Sequence, residues 1–251
     1  MLIAVTLGML LAVATLTIAY FKLSAQIKGR RAEILDAQAN LFRQSEALLF
    51  LYSELRPRYG LPETRGWAAS PDFLRKVCEV FAAHEPKLVV ECSSGVSTLV
   101  LAYMVKRAGR GRIVSLEHDA TYAAQTRALL RRHGVEHFVE VQVAPLVDLK
   151  LTDWSGRWYD VSDLRIDAPI DMLVIDGPPA EMQHQSRYPA YPVLRASMSD
   201  NAVILLDDSG REDEREAVRR WCAGDLDLQS TSVADSCEKG CTVLRRNRGA
   251  D

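Results

Sequence analysis

From residue 88 onward, short apolar segments alternate with longer segments whose pattern predicts helices. Strands that are apolar on both faces and separated by helices are typical of a parallel sheet covered on both sides. The predicted strands are 88–90, 112–116, 138–143, 170–175 and 202–206, and the predicted helices between and after them are 96–107, 120–132 and 212–222.

Two further segments, 226–232 and 241–244, have no helix between them. This pattern predicts an antiparallel hairpin that closes the sheet. The predicted fold is therefore α/β, with a doubly wound, mostly parallel, seven-stranded sheet that ends in this hairpin.

The segment 1–21 contains no Asp, Glu, Lys, Arg or His. As a helix it would span about 31 Å, close to the hydrocarbon thickness of a bilayer. A cleaved signal peptide is the alternative, but no basic residue precedes the apolar run, and the run is longer than the usual hydrophobic region of such a peptide. We therefore predict one transmembrane helix at 1–21 that precedes the α/β domain.

The charges after this segment indicate its orientation. Four basic residues precede the first acidic residue of the chain: Lys22, Lys28, Arg30 and Arg31. Positive flanking charge stays on the cytoplasmic side, so we predict a single-pass membrane protein whose domain faces the cytoplasm. The five cysteines are scattered and odd in number, which agrees with a reducing compartment.

The segment 22–59 is predicted as a helical stalk that leads to a domain at 60–251. Within it, 32–55 has no glycine or proline, and leucine or isoleucine recurs at a spacing of seven, interrupted near Gln44. Two arrangements remain open for this helix. It either packs on its own domain or forms a short coiled coil, which would make a homodimer through the stalk.

Carboxylates stand at the ends of four of the five predicted parallel strands: Glu91, Glu117, Asp176 and the pair Asp207-Asp208. In an open α/β sheet, ligands bind at the carboxyl ends of the strands, where the strand order reverses. A charged side chain is costly inside a strand but is tolerated at its end. These strand ends are therefore the predicted functional site.

The first strand runs into the sequence E-C-S-S-G-V-S-T at 91–98, a turn of small residues that opens a helix. Such a turn lets a ligand approach the backbone closely. A nicotinamide dinucleotide site would need G-x-G-x-x-G, of which only Gly95 is present, so that reading is disfavoured. Glu117 ends the second strand and can accept hydrogen bonds from both ribose hydroxyls of an adenosine. The alternative for Glu117 is a solvated residue at the start of a helix.

Four segments together resemble the class I S-adenosylmethionine-dependent methyltransferases: 88–98, 115–119, 170–179 and 202–208. More narrowly, they are similar to the O-methyltransferase-like group, with E-x-G-S-G-x-S-T as first motif and I-D-G-P-P as fourth. The segment 61–71, here called the leading segment, resembles the stretch that enters the domain in that group. The resemblance covers residues 60–245 and implies a Rossmann-like methyltransferase domain.

The resemblance also implies roles for individual residues. Glu91, Gly95 and Ser97 would line the methionine and ribose portion of S-adenosylmethionine. Glu117 would take the ribose hydroxyls, and Asp176 would face the methyl donor and acceptor.

Ser93 stands where the group usually has glycine. A side chain at this cofactor-binding position is expected to tilt the cofactor or weaken its binding. Serine at position 93 is therefore expected to affect the activity of the protein more than its fold.

Asp176, Asp207 and Asp208 supply the hard oxygen ligands that Mg²⁺ or Ca²⁺ requires. Similar positions bind a metal in the catechol O-methyltransferase type of this superfamily, where the ion acidifies the acceptor hydroxyl. The alternative is that the pair Asp207-Asp208 caps the helix that starts near Glu212. Both explanations remain open, and Mg²⁺ is the candidate second cofactor.

His184 lies in the polar stretch 183–187 that follows the turn at Asp176. Histidine is a side chain that can abstract a proton near neutrality, so Asp176 and His184 are the candidate catalytic residues. The alternative for His184 is an ordinary loop residue. The long loop 145–168 contains three aromatic residues that would form either a lid or substrate wall or a cover for the sheet edge.

The predicted function is S-adenosylmethionine-dependent methyl transfer, with oxygen of a small molecule or of a membrane-associated glycan or lipid intermediate as acceptor. The alternative is a membrane-anchored, catalytically weak protein of the same fold that acts in binding or assembly. The net charge of −2 shows no basic excess, so a nucleic-acid partner is not predicted.

Overall fold

The structure is a computed structural model that describes residues 2–232 and 237–247. The chain divides into two compact units, with the boundary between Ser45 and Glu46. The first unit is helical, and the second contains the sheet and the remaining helices.

Helix α1 (Leu2–Leu55) forms the whole described part of the first unit and extends into the second. Within the described residues, it is the one helix long and apolar enough to cross a membrane, with a window of mean hydropathy 1.7. Large apolar side chains of its first half, such as Leu10 and Phe21, are exposed. Because α1 is continuous, the boundaries of the predicted span (1–21) and stalk (22–59) stay predictions.

Within its described residues, and besides the end of α1 and three short 3₁₀ helices, the second unit contains nine strands and five α-helices. The strands are β1 (Leu88–Cys92), β2 (Arg112–Glu117), β3 (Val139–Val143), β4 (Leu146–Lys150), β5 (Ser155–Tyr159), β6 (Ile170–Ile175), β7 (Met198–Asp207), β8 (Leu228–Ser232) and β9 (Cys241–Arg246). The helices are α2 (Pro71–His84), α3 (Val96–Ala108), α4 (Ala120–His133), α5 (Ala190–Leu194) and α6 (Glu212–Gly224).

Seven of the strands form one sheet in the order β3-β2-β1-β6-β7-β9-β8. The first five strands in this order are parallel to one another, and β9 runs antiparallel to both β7 and β8. This confirms the predicted α/β fold, a mostly parallel seven-stranded sheet with a C-terminal antiparallel hairpin. The chain leaves β1 towards β2 on one side and reaches β6 on the other, so the order reverses at β1, where a ligand site is expected.

Successive residues of the central strands are buried on opposite faces of the sheet. Val89 packs with the apolar side chains of α2 and α3, whereas Val90 packs with those of α5 and α6. Both side chains are fully buried. This two-sided burial explains why the strands read as continuous apolar runs rather than as alternating ones.

The sequence analysis predicted one long loop over 145–168. The structure differs, because β4 and β5 form a separate antiparallel hairpin within this segment. Trp158 and Tyr159, both residues of β5, are buried in the core, as is Trp154 just before this strand. Of the two explanations for these aromatic residues, the cover for the sheet agrees with the structure. The three side chains do not line the cavity described below.

Candidate functional site

A cavity of about 630 Å³ opens at the carboxyl ends of β1, β2, β6 and β7. This is an ordinary size for a small-molecule or cofactor site. Its wall includes the turn after β1, the N-terminal end of α4 and the turn after β6. The charged residues of the wall are Glu117, Asp176, Glu181, Arg187, Asp208, Arg211 and Lys239.

The turn after β1 presents Ser93 and Ser94 to the cavity. Ser93 has a φ of 89°, a left-handed conformation that favours glycine and is strained for a residue with a side chain. A Cβ on Gly177, in the turn after β6, would lie 2.7 Å from the Cβ of Ser93. The two turns therefore approach each other closely, and a side chain at 177 would clash with Ser93 and also with the Tyr159 hydroxyl, 2.6 Å away.

Glu91 lies beneath this turn and does not line the cavity. It is fully buried, and its Oε2 accepts hydrogen bonds from Thr98 Oγ1 at 2.6 Å and Ser115 Oγ at 2.8 Å. Burial raises the pKa of Glu91 to about 7, although hydrogen bonds from Ser97, Thr98 and Ser115 lower it. Gly95 and Ser97 likewise lie outside the cavity wall. Glu91, Gly95 and Ser97, which were predicted to bind the cofactor, therefore support the turn and do not face the cavity.

Glu117 ends β2 and does line the cavity. Its Oε2 accepts hydrogen bonds from the backbone N–H of Ser94 at 2.9 Å and from the Ser94 hydroxyl at 3.0 Å. Its Oε1 accepts the N–H of Asp119 at 3.1 Å. The carboxylate is thus fixed in position between the ends of β1 and β2, at the point where the strand order reverses.

Asp176, Asp207 and Asp208 form an acidic cluster at the ends of β6 and β7, and their carboxylate oxygens lie within 4.8 Å of one another. Burial raises the pKa of Asp176 to about 6, although Arg187 lowers it. Burial also raises the pKa of Asp207 well above its usual range, and the charge of Asp176 raises it further. Asp176 and Asp208 line the cavity, whereas Asp207 lies behind them.

Arg187 lies within this acidic cluster, and the sequence analysis placed it only at the end of a polar stretch. Its Nη2 donates to Asp208 Oδ2 at 2.7 Å and lies 3.4 Å from Asp176 Oδ1. Its Nη1 donates to the main-chain oxygen of Asp207 at 2.9 Å. The cluster that was predicted to bind a metal already surrounds a guanidinium, so as a donor set it does not fit a resident divalent ion.

His184 is 79% exposed in its side chain, and its Nδ1 lies 2.7 Å from Asp213 Oδ1. It does not line the cavity. The structure therefore does not bring the two candidate catalytic residues together, and Asp176 alone lies in the wall.

The leading segment reaches the cavity through Gly66 and Trp67. Trp67 is 83% exposed. Lys239 also lines the cavity, and its Nζ donates to the main-chain oxygen of Gly66 at 2.7 Å. Lys239 had no signal in the sequence, because it lies on a turn that is far from the other wall residues along the chain.

Comparison with known proteins agrees with this geometry. A model of a methyltransferase domain family matches residues 90–209. No curated protein matches the chain. Among solved structures, an O-methyltransferase from Bacillus cereus in complex with SAH is similar, with a TM-score of 0.55 and 17% identity over 82% of this chain and 90% of that one.

Two further solved structures have the same fold. The O-methyltransferase TomG from Streptomyces achromogenes, involved in tomaymycin synthesis and in complex with SAM, has a TM-score of 0.53 and 20% identity, covering 82% of this chain and 89% of that one. The SAH-bound methyltransferase PaMTH1 from Podospora anserina has a TM-score of 0.56 and 15% identity, covering 85% and 95%.

The sheet order, the cavity at the strand reversal and these structural similarities define the class I S-adenosylmethionine-dependent methyltransferase fold, in its O-methyltransferase-like form. Within it, residues 90–209 match the model of a methyltransferase domain. The fold predicted from the sequence is thereby confirmed, and the match supports the predicted family resemblance and enzyme class.

Proposed function

We propose that the chain binds S-adenosylmethionine in the cavity at the ends of β1 and β2 and transfers its methyl group to an oxygen of a small molecule. The observation that carries the proposal is the fixed carboxylate of Glu117 beside the turn at Ser93 and Ser94, facing a cavity of cofactor size. The O-methyltransferases of the same fold that hold SAM or SAH support it.

Glu117 is the proposed partner of the ribose hydroxyls. Its carboxylate is oriented by hydrogen bonds from Ser94 and Asp119, and carboxylate oxygens have lone pairs left for further donors. Because this orientation exists before the cofactor arrives, binding does not have to order the side chain. The turn at Ser93 and Ser94 would lie against the cofactor on the same side of the cavity.

Asp176 is the proposed acceptor of the proton released by the acceptor hydroxyl. In the reaction the bond between the methyl carbon and sulfur breaks as the bond from that carbon to the acceptor oxygen forms, and SAH leaves. The proton of the hydroxyl passes to the Asp176 carboxylate. With a pKa of about 6, Asp176 is ionised and able to accept it near neutral pH.

We propose further that the acceptor is a small molecule or a membrane-associated glycan or lipid intermediate. The support is α1, whose apolar first half would tether the domain to a bilayer on its cytoplasmic side and concentrate it near membrane-bound acceptors. A second copy of the chain would pair with it through the stalk if that helix forms the short coiled coil.

A catalytically weak binding or assembly protein of the same fold is the second candidate. The observation that favours it is the left-handed conformation of Ser93, which places a side chain where the cofactor would approach the backbone. Cofactor binding with no turnover over a broad acceptor screen would favour this candidate over the enzyme.

The experiment is calorimetric titration of the full-length chain, purified in detergent, with S-adenosylmethionine and separately with NADH. We expect binding of the first ligand alone. Glu117→Ala should weaken that binding by about 1–3 kcal/mol, because it removes a buried acceptor of hydrogen bonds.

The matched control is Glu140→Ala, which removes an exposed carboxylate of β3 outside the cavity and should leave the affinity unchanged. Equal affinities of the Glu117 and Glu140 variants would contradict the ribose role. A folded chain that binds neither ligand would contradict the proposed function itself.

A further inference from the structure

The guanidinium of Arg187 occupies the centre of the acidic cluster at the ends of β6 and β7. It makes contacts of 2.7 Å to Asp208 and 3.4 Å to Asp176, and its side chain is only 5% exposed. Glu214 adds a further carboxylate oxygen 3.7 Å from its Nε. A positive charge is therefore built into the place where these carboxylates converge.

A divalent ion at this cluster would compete with Arg187 for the same oxygens. Mg²⁺ requires several oxygen ligands at about 2.0–2.1 Å in near-octahedral geometry. Asp208 Oδ2 already pairs with Arg187 and with Arg211 Nη1 at 3.0 Å. An ion beside these two guanidinium groups would be repelled in a site with little water to screen the charges.

We propose that Arg187 is the resident cation of this site, in the position that a divalent metal would otherwise take, and that methyl transfer proceeds without a divalent ion. Arg187 is a positioning residue in this scheme, since it fixes Asp176 and Asp208 in the cavity wall. The statement about methyl transfer rests on the proposed function, whereas the statement about the cation does not.

The structure indicates what removal of Arg187 would leave behind. With Arg187 in place, Asp207 Oδ2 and Asp208 Oδ1 are already buried without a hydrogen-bond partner within the described part of the chain. Without the guanidinium of Arg187, one carboxylate oxygen from each of the three aspartates would stay within 4.8 Å of the others, and Arg211 would be the one guanidinium left beside Asp208, which is a donor set that suits a divalent ion. The loss of Arg187 should therefore create a metal site.

The test is titration of the full-length chain with Mn²⁺, followed by the loss of the free-ion signal in electron paramagnetic resonance. The wild type should bind no Mn²⁺ at this site. Arg187→Ala should bind it with an affinity at least roughly tenfold above the detection limit of the wild-type titration, the size of change that altered surroundings usually produce in metal affinity. Asp208→Asn in the Arg187→Ala background should remove the new binding.

Arg187→Lys is the matched control, because it keeps the positive charge and should bind no more Mn²⁺ than the wild type does. Equal Mn²⁺ affinity of the Lys and Ala variants would overturn the proposal. So would wild-type binding that Asp208→Asn abolishes, or a folded Arg187→Ala chain that gains no binding.

Circular dichroism establishes whether Arg187→Ala is folded, and Arg187→Gln replaces it if it is not. The wild-type titration and its Asp208→Asn control do not depend on the folding of Arg187→Ala, so wild-type binding that Asp208→Asn abolishes overturns the proposal in either case. Turnover that persists in excess EDTA supports the metal-free reaction, and turnover lost in EDTA overturns it. A failure of the proposed function would show separately, as absent binding of S-adenosylmethionine.

Discussion

Asp176 combines burial with a place in the cavity wall, and these two properties decide when it can accept a proton. Burial raises the pKa of Asp176 to about 6, and Arg187 opposes that rise. Below pH 6 the carboxyl is increasingly protonated and cannot act as a base. The proposed reaction should therefore slow as the pH falls through about 6.

Asp176→Asn is expected to lower kcat/KM by about one hundred- to ten-thousand-fold, because the amide cannot accept the proton. The remaining activity should lose its fall on the acidic side. The measurement is the rate of SAH release against pH, with an acceptor that supports turnover in a screen of phenols and hydroxylated lipids.

Glu181→Gln is the control for this substitution, since Glu181 is also a carboxylate of the cavity wall. It should keep the wild-type pH profile. An Asp176→Asn enzyme with an unchanged profile would show that another group takes the proton.

Sequence reasoning found the acidic residues of the site but not the basic ones. Glu117 and Asp176 directly follow or end apolar strands, and the rule that ligands bind at strand ends applies to them without any structure. Arg187 and Lys239 lie on turns outside the strands, so their contacts depend on long-range folding. Arg187 is 21 residues from Asp208 along the chain, and only the packing of the turn after β6 against β7 brings them together.

At the scale of elements, the sequence pattern was sufficient to predict all seven strands of the main sheet, although β8 has a single apolar residue and was predicted from the lack of a helix before β9. The ends differ modestly, since β7 begins at Met198 rather than at 202 and β8 at Leu228 rather than at 226. The hairpin of β4 and β5 was missed because its strands are largely exposed and show no apolar run. Tertiary packing on Trp158, rather than strand pattern, stabilises it.

Trp158 and Trp67 provide a matched pair of substitutions at this scale. Trp158 in β5 is fully buried in the core, whereas Trp67 is largely exposed at the cavity. Trp158→Ala should lower the free energy of unfolding by about 3–5 kcal/mol, because it removes a large side chain from a packed core. Trp67→Ala should change it by no more than about 0.5 kcal/mol.

Denaturant unfolding of the two variants measures both values. The Trp67 variant should instead raise the KM for the acceptor, because Trp67 lies in the cavity wall. If the two substitutions lowered the free energy of unfolding equally, this would contradict the conclusion that Trp158 is a core residue and Trp67 is not.

For the whole molecule, α1 is the feature on which the proposed membrane location depends. Its first half exposes large apolar side chains, and no part of its apolar window is covered by the described chain. For predicting a membrane span, the length and composition of the uncharged segment were as informative as the structure, because both can be read from the sequence. The side of the membrane depends on the flanking charges alone.

Leu10→Arg is expected to reduce the membrane-bound fraction of the full-length chain, since arginine near the centre of a span costs about 2.5–3.5 kcal/mol. Leu35→Arg, in the predicted stalk, is the control and should stay membrane-bound. The measurement is the distribution of each variant between membrane and supernatant after an alkaline wash. A wild-type chain found entirely in the supernatant would contradict the anchor.

The leading segment is fastened to the C-terminal part of the domain by a pair of side chains that lie 173 positions apart. Arg65 Nε donates to Glu238 Oε2 at 3.0 Å, and a second Arg65 nitrogen pairs with the other carboxylate oxygen. This two-point geometry suits a guanidinium and not an ammonium group. In evolutionary terms, a change at either position leaves its partner unmatched, so sequences that diverge from this one are expected to vary Arg65 and Glu238 together.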